Sequence, residues 1–589
     1  MADVIETPQA RDDAAHRAPL PAPRYRRLLG APRERWIQYG VFAVLLLLVL
    51  APVVPTVWQS LVSKPLYASG GALDPGNYAR LFTDEGFGTV IVNSLLLAAL
   101  TTVFSVVLAV VLSVLLVRVR VPGGRVMGGL LMWPIYISPL VLAFGWIIVY
   151  GPAGYVTSAV GHLIGAEEPW NLYSIFGMAL TSTVALTPIA YLYCSNALRM
   201  ADSSLEHAAR TCGAGPLRVI RSVILPMMRP PIMYSALLIF TASLEELSIP
   251  LLYGKPVEIE LFGSFLYDYG LDEATPDYGI LGAASVLFLA FLAVLVTIQG
   301  LVLRNSRRFI AVRGKATRVH RFDLGRLRWA GFAIAAGYLI LGPGLPLLGL
   351  IARAFTQVLS PLVSPLKVLS LGNFQIIFGY SEYTGSIGNS LIVAVVGGVA
   401  VTVVAALAVL VARRSGFRAA KAVEFTALAP QALPGVIMGL GFFWTILFVA
   451  PLRPLQGTLT AIIIAFGVAA LPAAFGAIAP MVMQIGGELD AAARSVGADW
   501  WRTFSRVLLR LITPALLASF VLVFVNMIKA FSAAVFLGNA DSQVIGTTSL
   551  TLWTNGNTGA VAALSCLQIA ITAVVVVAAG RLFKVNAHA

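Results

Sequence analysis

Residues 204–214 read Ser-Leu-Glu-His-Ala-Ala-Arg-Thr-Cys-Gly-Ala, and residues 488–498 read Glu-Leu-Asp-Ala-Ala-Ala-Arg-Ser-Val-Gly-Ala. A shift of 284 positions superposes Leu205 on Leu489, Ala208 on Ala492, Ala209 on Ala493, Gly213 on Gly497 and Ala214 on Ala498, and runs without a gap to Pro230 on Pro514. Each copy is polar, basic and helix-prone between long apolar runs. That pattern predicts a short helix, a glycine turn and a second helix at a membrane surface. Ser203 and Glu206 have capping-box spacing, and Gly213 supplies the backbone freedom that a helix C-terminus uses. The adjacent alanines leave a face that a second protein can approach closely.

Outward from the two copies, the chain is too apolar for a soluble globular protein: of 589 residues, 58% are hydrophobic and 12% charged. Runs of about 20 apolar residues, enough to cross a ~30 Å hydrocarbon layer as helix, number twelve between residues 37 and 580. The expected fold is all-α integral membrane with twelve transmembrane helices. The net charge of +14 is explained by orientation, without nucleic acid. With the N-terminus inside, only Lys64, Arg80, Lys255, Arg353, Lys367 and Arg453 of the 41 Lys and Arg fall in outside loops, and Lys529 falls within a span. Cys194, Cys212 and Cys566 lie in spans or on the inner side, which excludes a disulfide framework. The first apolar run is longer than a signal-peptide core and reads as an uncleaved helix.

A second offset, 296, pairs Gly76-Asn77 with Gly372-Asn373, Asn93-Ser94 with Asn389-Ser390, Arg118 with Arg414, Pro134 with Pro430 and Gly145 with Gly441; from Pro188 and Pro472 onward it is 284. The chain therefore reads as two tandem six-helix halves, 37–303 and 329–584, related by a pseudo-twofold axis along the membrane normal. A disordered cytoplasmic tail, 1–36, precedes them, and a basic cytoplasmic linker, 304–328, joins them. The first half's surplus of about twelve residues is expected outside, near 151–171.

The duplicated Ala-Ala, three residues, Gly pattern resembles the EAA loop of ABC-importer permeases, the cytoplasmic segment that docks into the ATPase subunit. The usual glutamate position holds His207 and Ala491; an acid stands one residue earlier in each copy, as Glu206 and Asp490. The first copy keeps Leu225-Pro226 and the second has Leu509-Arg510. With its spans and linker, the chain looks like a fused permease of a type I ABC importer over nearly all of residues 37–584. The resemblance implies that Leu205, Glu206, Ala208, Ala209, Gly213 and Ala214, with Leu489, Asp490, Ala492, Ala493, Gly497 and Ala498, couple to two copies of a separate ABC ATPase. It further implies an external substrate-binding protein, ATP and Mg bound by the ATPase and no cofactor in this chain. The setting is a cell inner membrane, multi-pass, with both termini cytoplasmic. Fused permeases of this kind resemble the group handling ferric iron, with thiamine, phosphonate and polyamine carriers as relatives. The segment from Gly314 to Arg326 is similar to the mid-chain stretch of ferric-iron members.

The chain has no Gly-x4-Gly-Lys-Ser/Thr phosphate loop and no paired histidine spacing, so the residues indicate no enzyme and no zinc site. Ionisable residues inside spans mark function, and Glu245, Glu246 and Lys529 stand out as pathway or gate residues. The 284 offset maps Glu245 onto Lys529. The two either pair across the axis, offsetting their desolvation, or each snorkels towards the surface or pairs with neighbouring backbone. Pro134, Ser138 and Pro139, with Pro430, Pro434 and Gly435, interrupt the third and ninth spans, either beside a water-filled path or as packing kinks. The rival class is a major-facilitator-type secondary transporter. Its usual signature lies between the second and third spans, where residues 117–125 carry no acid.

Overall fold

The computed structural model describes residues 32–583 apart from 69, 84–85, 167, 201–203, 273–275, 307–320, 324, 358–366, 487, 490–494 and 496–503. The described residues are helical, with three isolated β-bridges and no sheet among them. Backbone groups in hydrocarbon must be satisfied within the segment, and the helix does this. Ten helices are long and apolar enough to cross a membrane, or twelve when the bent pairs Pro216–Met227 with Arg229–Leu244 (62°) and Ala420–Ala432 with Gly435–Phe448 (109°) each count as one span. The first helix starts at Pro32, inside the segment expected as a tail; residues 1–31 lie outside the described residues. The surplus of the first half includes the helix Tyr155–Ile164, where the second half has the short turn Ala450–Leu455.

The first helix of each half packs on the other half. The helix Arg35–Gln59 lies against Gly435–Phe448, and Leu345–Ala354 lies against Pro139–Tyr150. A Cβ on Gly145 would sit 2.8 Å from the Pro346 carbonyl oxygen, and one on Gly441 would overlap Pro52. The glycines paired by the 296 offset are therefore the points where backbones meet across the halves. Trp146 Nε1 donates to the Gly342 carbonyl at 3.1 Å, Tyr150 donates to Leu341 at 2.6 Å, and Thr445 donates to the Ala51 carbonyl.

The other repeated pairs also have physical causes. Asn77 Nδ2 donates to the Ser60 and Val62 carbonyls at 3.0 and 3.1 Å, and Asn373 Nδ2 donates to Arg353, Ala354 and Thr356 at 3.1, 3.0 and 2.9 Å. Each asparagine closes the C-terminal turn of its half's first span, where helical carbonyls lack partners. Ser94 Oγ accepts the Phe262 N–H and Ser390 Oγ accepts the Ile545 N–H, both at 2.8 Å. These serines hold the starts of Phe262–Tyr267 and Ile545–Thr554, short helices that follow the broken fifth and eleventh spans.

Candidate functional site

The first copy of the repeated stretch folds as expected, as a helix over Ser204–Thr211 followed by a turn and the helix from Pro216. Gly213 has φ of 79°, a left-handed backbone that costs other residues steric strain. Gly213 N–H donates to Arg210 at 2.9 Å and Ala214 N–H to Ala209 at 3.0 Å, the two bonds of a Schellman C-cap. Ser203 lies outside the described residues, and the Glu206 carboxylate turns to another partner. It is 2% exposed and its Oε1 lies 2.9 Å from Nη2 of Arg118, itself 1% exposed. Nη2 also donates to the Leu198 carbonyl at 2.9 Å.

That ion pair is poorly dressed: among the described residues neither Glu206 oxygen makes a well-aligned hydrogen bond, and Arg118 Nε and Nη1 have none. Burial pushes the Glu206 carboxyl above its ordinary range, with the charges of Arg118, His207 and Arg210 acting in the opposite sense. A buried pair in such geometry adds little stability but fixes position. Here it ties the helix Ser204–Thr211 to the C-terminal end of the span Phe87–Arg118. Ala209 and Ala214 pack against the cluster of Val114, Val117, Val219, Ile224 and Met228, while Leu205 is 54% exposed.

In the second copy, Leu489 is helical and exposed; Asp490, Ala492, Ala493, Gly497 and Ala498 lie outside the described residues. The continuation is described, and the π-helical turn Ile220–Ile224 recurs as Phe504–Leu508, at the 284 offset. Pro226 of the first copy is replaced by Arg510 in the second, so the proline does not cause the widened turn. Such turns cluster at functional sites. Arg414, the mate of Arg118, likewise donates from Nη2 to a carbonyl at the end of its half's fourth span, that of Ile485.

The intramembrane charges lie at helix breaks. The fifth span stops at Leu244 and restarts at Ser248–Tyr253, with Glu245 and Glu246 in the gap; Glu246 Oε1 accepts the Ser248 N–H at 2.9 Å and so caps the restarted helix. The eleventh span ends at Lys529 and restarts at Ala534–Leu537. Lys529 Nζ donates to the Ile135 carbonyl at 2.8 Å, and Ser138 Oγ donates back to the Lys529 carbonyl at 3.2 Å. Ile135 and Ser138 lie at the break between Gly124–Leu130 and Pro139–Tyr150. The proline-marked bend of one half and the lysine of the other thus form one clasp. Among the described residues no carboxylate lies within ion-pair distance of Lys529; the acid whose charge acts on it is Glu246. Glu245, Glu246 and Lys529 each keep part of their surface accessible deep in the bundle.

Sequence reasoning missed two partners. Arg118 had a signal, its recurrence as Arg414; the Ile135 carbonyl had none, because any residue type supplies one.

Two-part helical architecture, exchanged first helices and ten to twelve membrane-length helices define a multi-pass membrane protein. The chain belongs to the family of binding-protein-dependent transport system inner membrane components, whose pattern matches twice, over residues 94–310 and 384–584. It is 25% identical over 515 residues to a putative ferric transport system permease protein of Haemophilus influenzae, covering 87% of this chain and 79% of that protein. A ferric transport system permease protein of Actinobacillus pleuropneumoniae is 24% identical over 547 residues, covering 91% and 77%. A putative 2-aminoethylphosphonate transport system permease protein of Salmonella typhi is 29% identical over 196 residues, covering 33% of this chain and 68% of that protein. The doubled family match replaces the major-facilitator alternative.

Proposed function

We propose that the chain forms the transmembrane path of an ATP-binding-cassette importer for ferric iron. The observation that carries the reading is the family match in both halves, centred on a repeated loop whose first copy is a capped helix with an exposed leucine. The cargo follows from the two relatives that align along most of this chain, both named as ferric transport permeases. Two copies of an ATPase grip the loops beginning at Ser204 and Glu488, and a substrate-binding protein delivers cargo on the opposite face. ATP and Mg belong to the ATPase; this chain catalyses no reaction. Twelve spans, a pseudo-twofold axis along the membrane normal and cytoplasmic termini complete the arrangement.

ATP-driven approach of the ATPases draws the two loops together. Each loop passes the displacement through its π-helical turn into the fifth or eleventh span, a rigid-body motion of one half against the other. Those spans break at Glu245-Glu246 and after Lys529, so the motion works on the clasp between Lys529 and Ile135. Broken helices at membrane depth line paths in transporters, and the part-exposed Glu245, Glu246 and Lys529 beside the breaks form the gate.

The phosphonate relative supports a second cargo reading, weaker because its likeness covers a third of the chain; thiamine and polyamine remain as further alternatives by resemblance. The test is uptake into proteoliposomes holding the chain, its ATPase and its binding protein. Ferric iron is expected to accumulate on ATP addition, and accumulation of 2-aminoethylphosphonate, thiamine or a polyamine in its place would overturn the cargo.

A further inference from the structure

The coupling helix Ser204–Thr211 does not rest on its own half alone. Phe322 and Asp323 precede the helical span Gly325–Ala354 of the second half, yet they lie against the first. Phe322 N–H donates to the Arg118 carbonyl at 2.7 Å, and Arg120 N–H donates to the Phe322 carbonyl at 3.0 Å. The two bonds form a parallel bridge between Val119 and Phe322. The ring is fully buried in the cluster of Val117, Val219, Ile224 and Met228, the same cluster that Ala209 and Ala214 of the coupling loop touch. The Arg210 guanidinium stands 4.8 Å over its face. Arg118 thus serves both sides: its backbone holds Phe322, and its side chain holds Glu206.

We propose that Phe322 is a positioning residue for energy coupling, pinning the first coupling helix to the leading end of the second half's first span. A push on Ser204–Thr211 then reaches both halves at once. The apolar ring fixes the contact, the cation over its face favours one orientation, and the backbone bridge sets the register. From Asp323 the path to the span is short, and that span packs back on the first half where Gly331 meets Leu115 and Val121. Packed side chains and backbone bridges carry coupling between elements, and contacts at Phe322 and at Gly331 tie this region to the first half on both sides of the span's start. The proposal rests on reading residues 204–214 as the ATPase-docking loop.

The experiment uses the full chain in proteoliposomes with its ATPase and binding protein, and reads the ratio of ATP hydrolysis with and without the binding protein. Phe322→Ala is expected to keep the ATPase assembled and its basal hydrolysis, while the ratio falls about tenfold, within the range single contacts contribute to coupling; Phe322→Leu restores part of it. A second variant, Gly-Gly-Ser inserted after Asp323, leaves the ring seated and slackens its link to the span. It is expected to lower the ratio likewise, which a purely structural role for the ring would not do. An unchanged ratio in the insertion variant overturns the proposal, as does a Phe322→Ala loss that only tracks the amount of assembled complex. Failure of the docking reading shows separately, as an ATPase that co-purifies undiminished with Leu205→Asp.

Discussion

Arg118 and Glu206 are in contact but incompletely hydrogen-bonded, so removing one and removing both should differ sharply. Arg118→Met strands a buried carboxyl and is expected to cost about 3 kcal/mol, whereas Arg118→Met with Glu206→Leu should recover most of it. Thermal unfolding of the purified chain in detergent checks this, and equal losses in the single and double variants would contradict it. Lys529 gives a second residue-level prediction. Its hydrogen-bond partner is the Ile135 carbonyl, so exchanging charges in Glu245→Lys with Lys529→Glu should transport no better than either single variant. Rescue in the uptake assay would restore the cross-half pair that the 284 offset suggested.

The helices show where small residues are required and where they are only tolerated. At Gly213 a Cβ meets nothing within 4 Å, so the whole penalty of Gly213→Ala is the left-handed backbone, about 1 kcal/mol. Binding of the ATPase should weaken by a comparable amount, and Gly213→Asn should be milder; isothermal binding to the detergent-solubilised chain measures both. Asn373 is different, because its amide closes a helix end and its oxygen lies where a Cβ on Gly559 would fall. Asn373→Ala removes the donor to the buried Ala354 carbonyl, while the Thr356 and Arg353 carbonyls keep Arg353 Nη1 and the Thr356 N–H, and is expected to destabilise the second half by about 1–3 kcal/mol. Limited proteolysis should then release second-half fragments first.

The molecule is two copies of one plan, and much of that plan could be read from residue spacing. Gly145 and Gly441 recur because each meets the first helix of the other half, and Asn77 with Asn373 and Ser94 with Ser390 because each makes the same backbone contact in its own half. The exchange of first helices between halves was not readable, because apolar helices carry no address; their partners are chosen by shape, at glycines whose role shows only once a neighbour is present. The places of the breaks in the fifth and eleventh spans were hidden too. Glu245-Glu246 and Lys529 announced themselves by charge, but the interruption beside them depends on capping and on contacts with other spans. Phe322 sits in a basic linker that also holds Phe309, and neither ring gives a signal by residue type alone.

Whether both loops receive a motor is the question on which the functional account depends. It can be answered by placing a photo-crosslinking residue at Leu205 in one preparation and at Leu489 in another, then illuminating the assembled importer in native membranes. The account predicts a covalent adduct between the chain and the ATPase from each position, strengthened when ATP is trapped. An ATPase adduct from neither position, or from Leu205 alone, would contradict a mechanism in which the two halves are driven by matching loops.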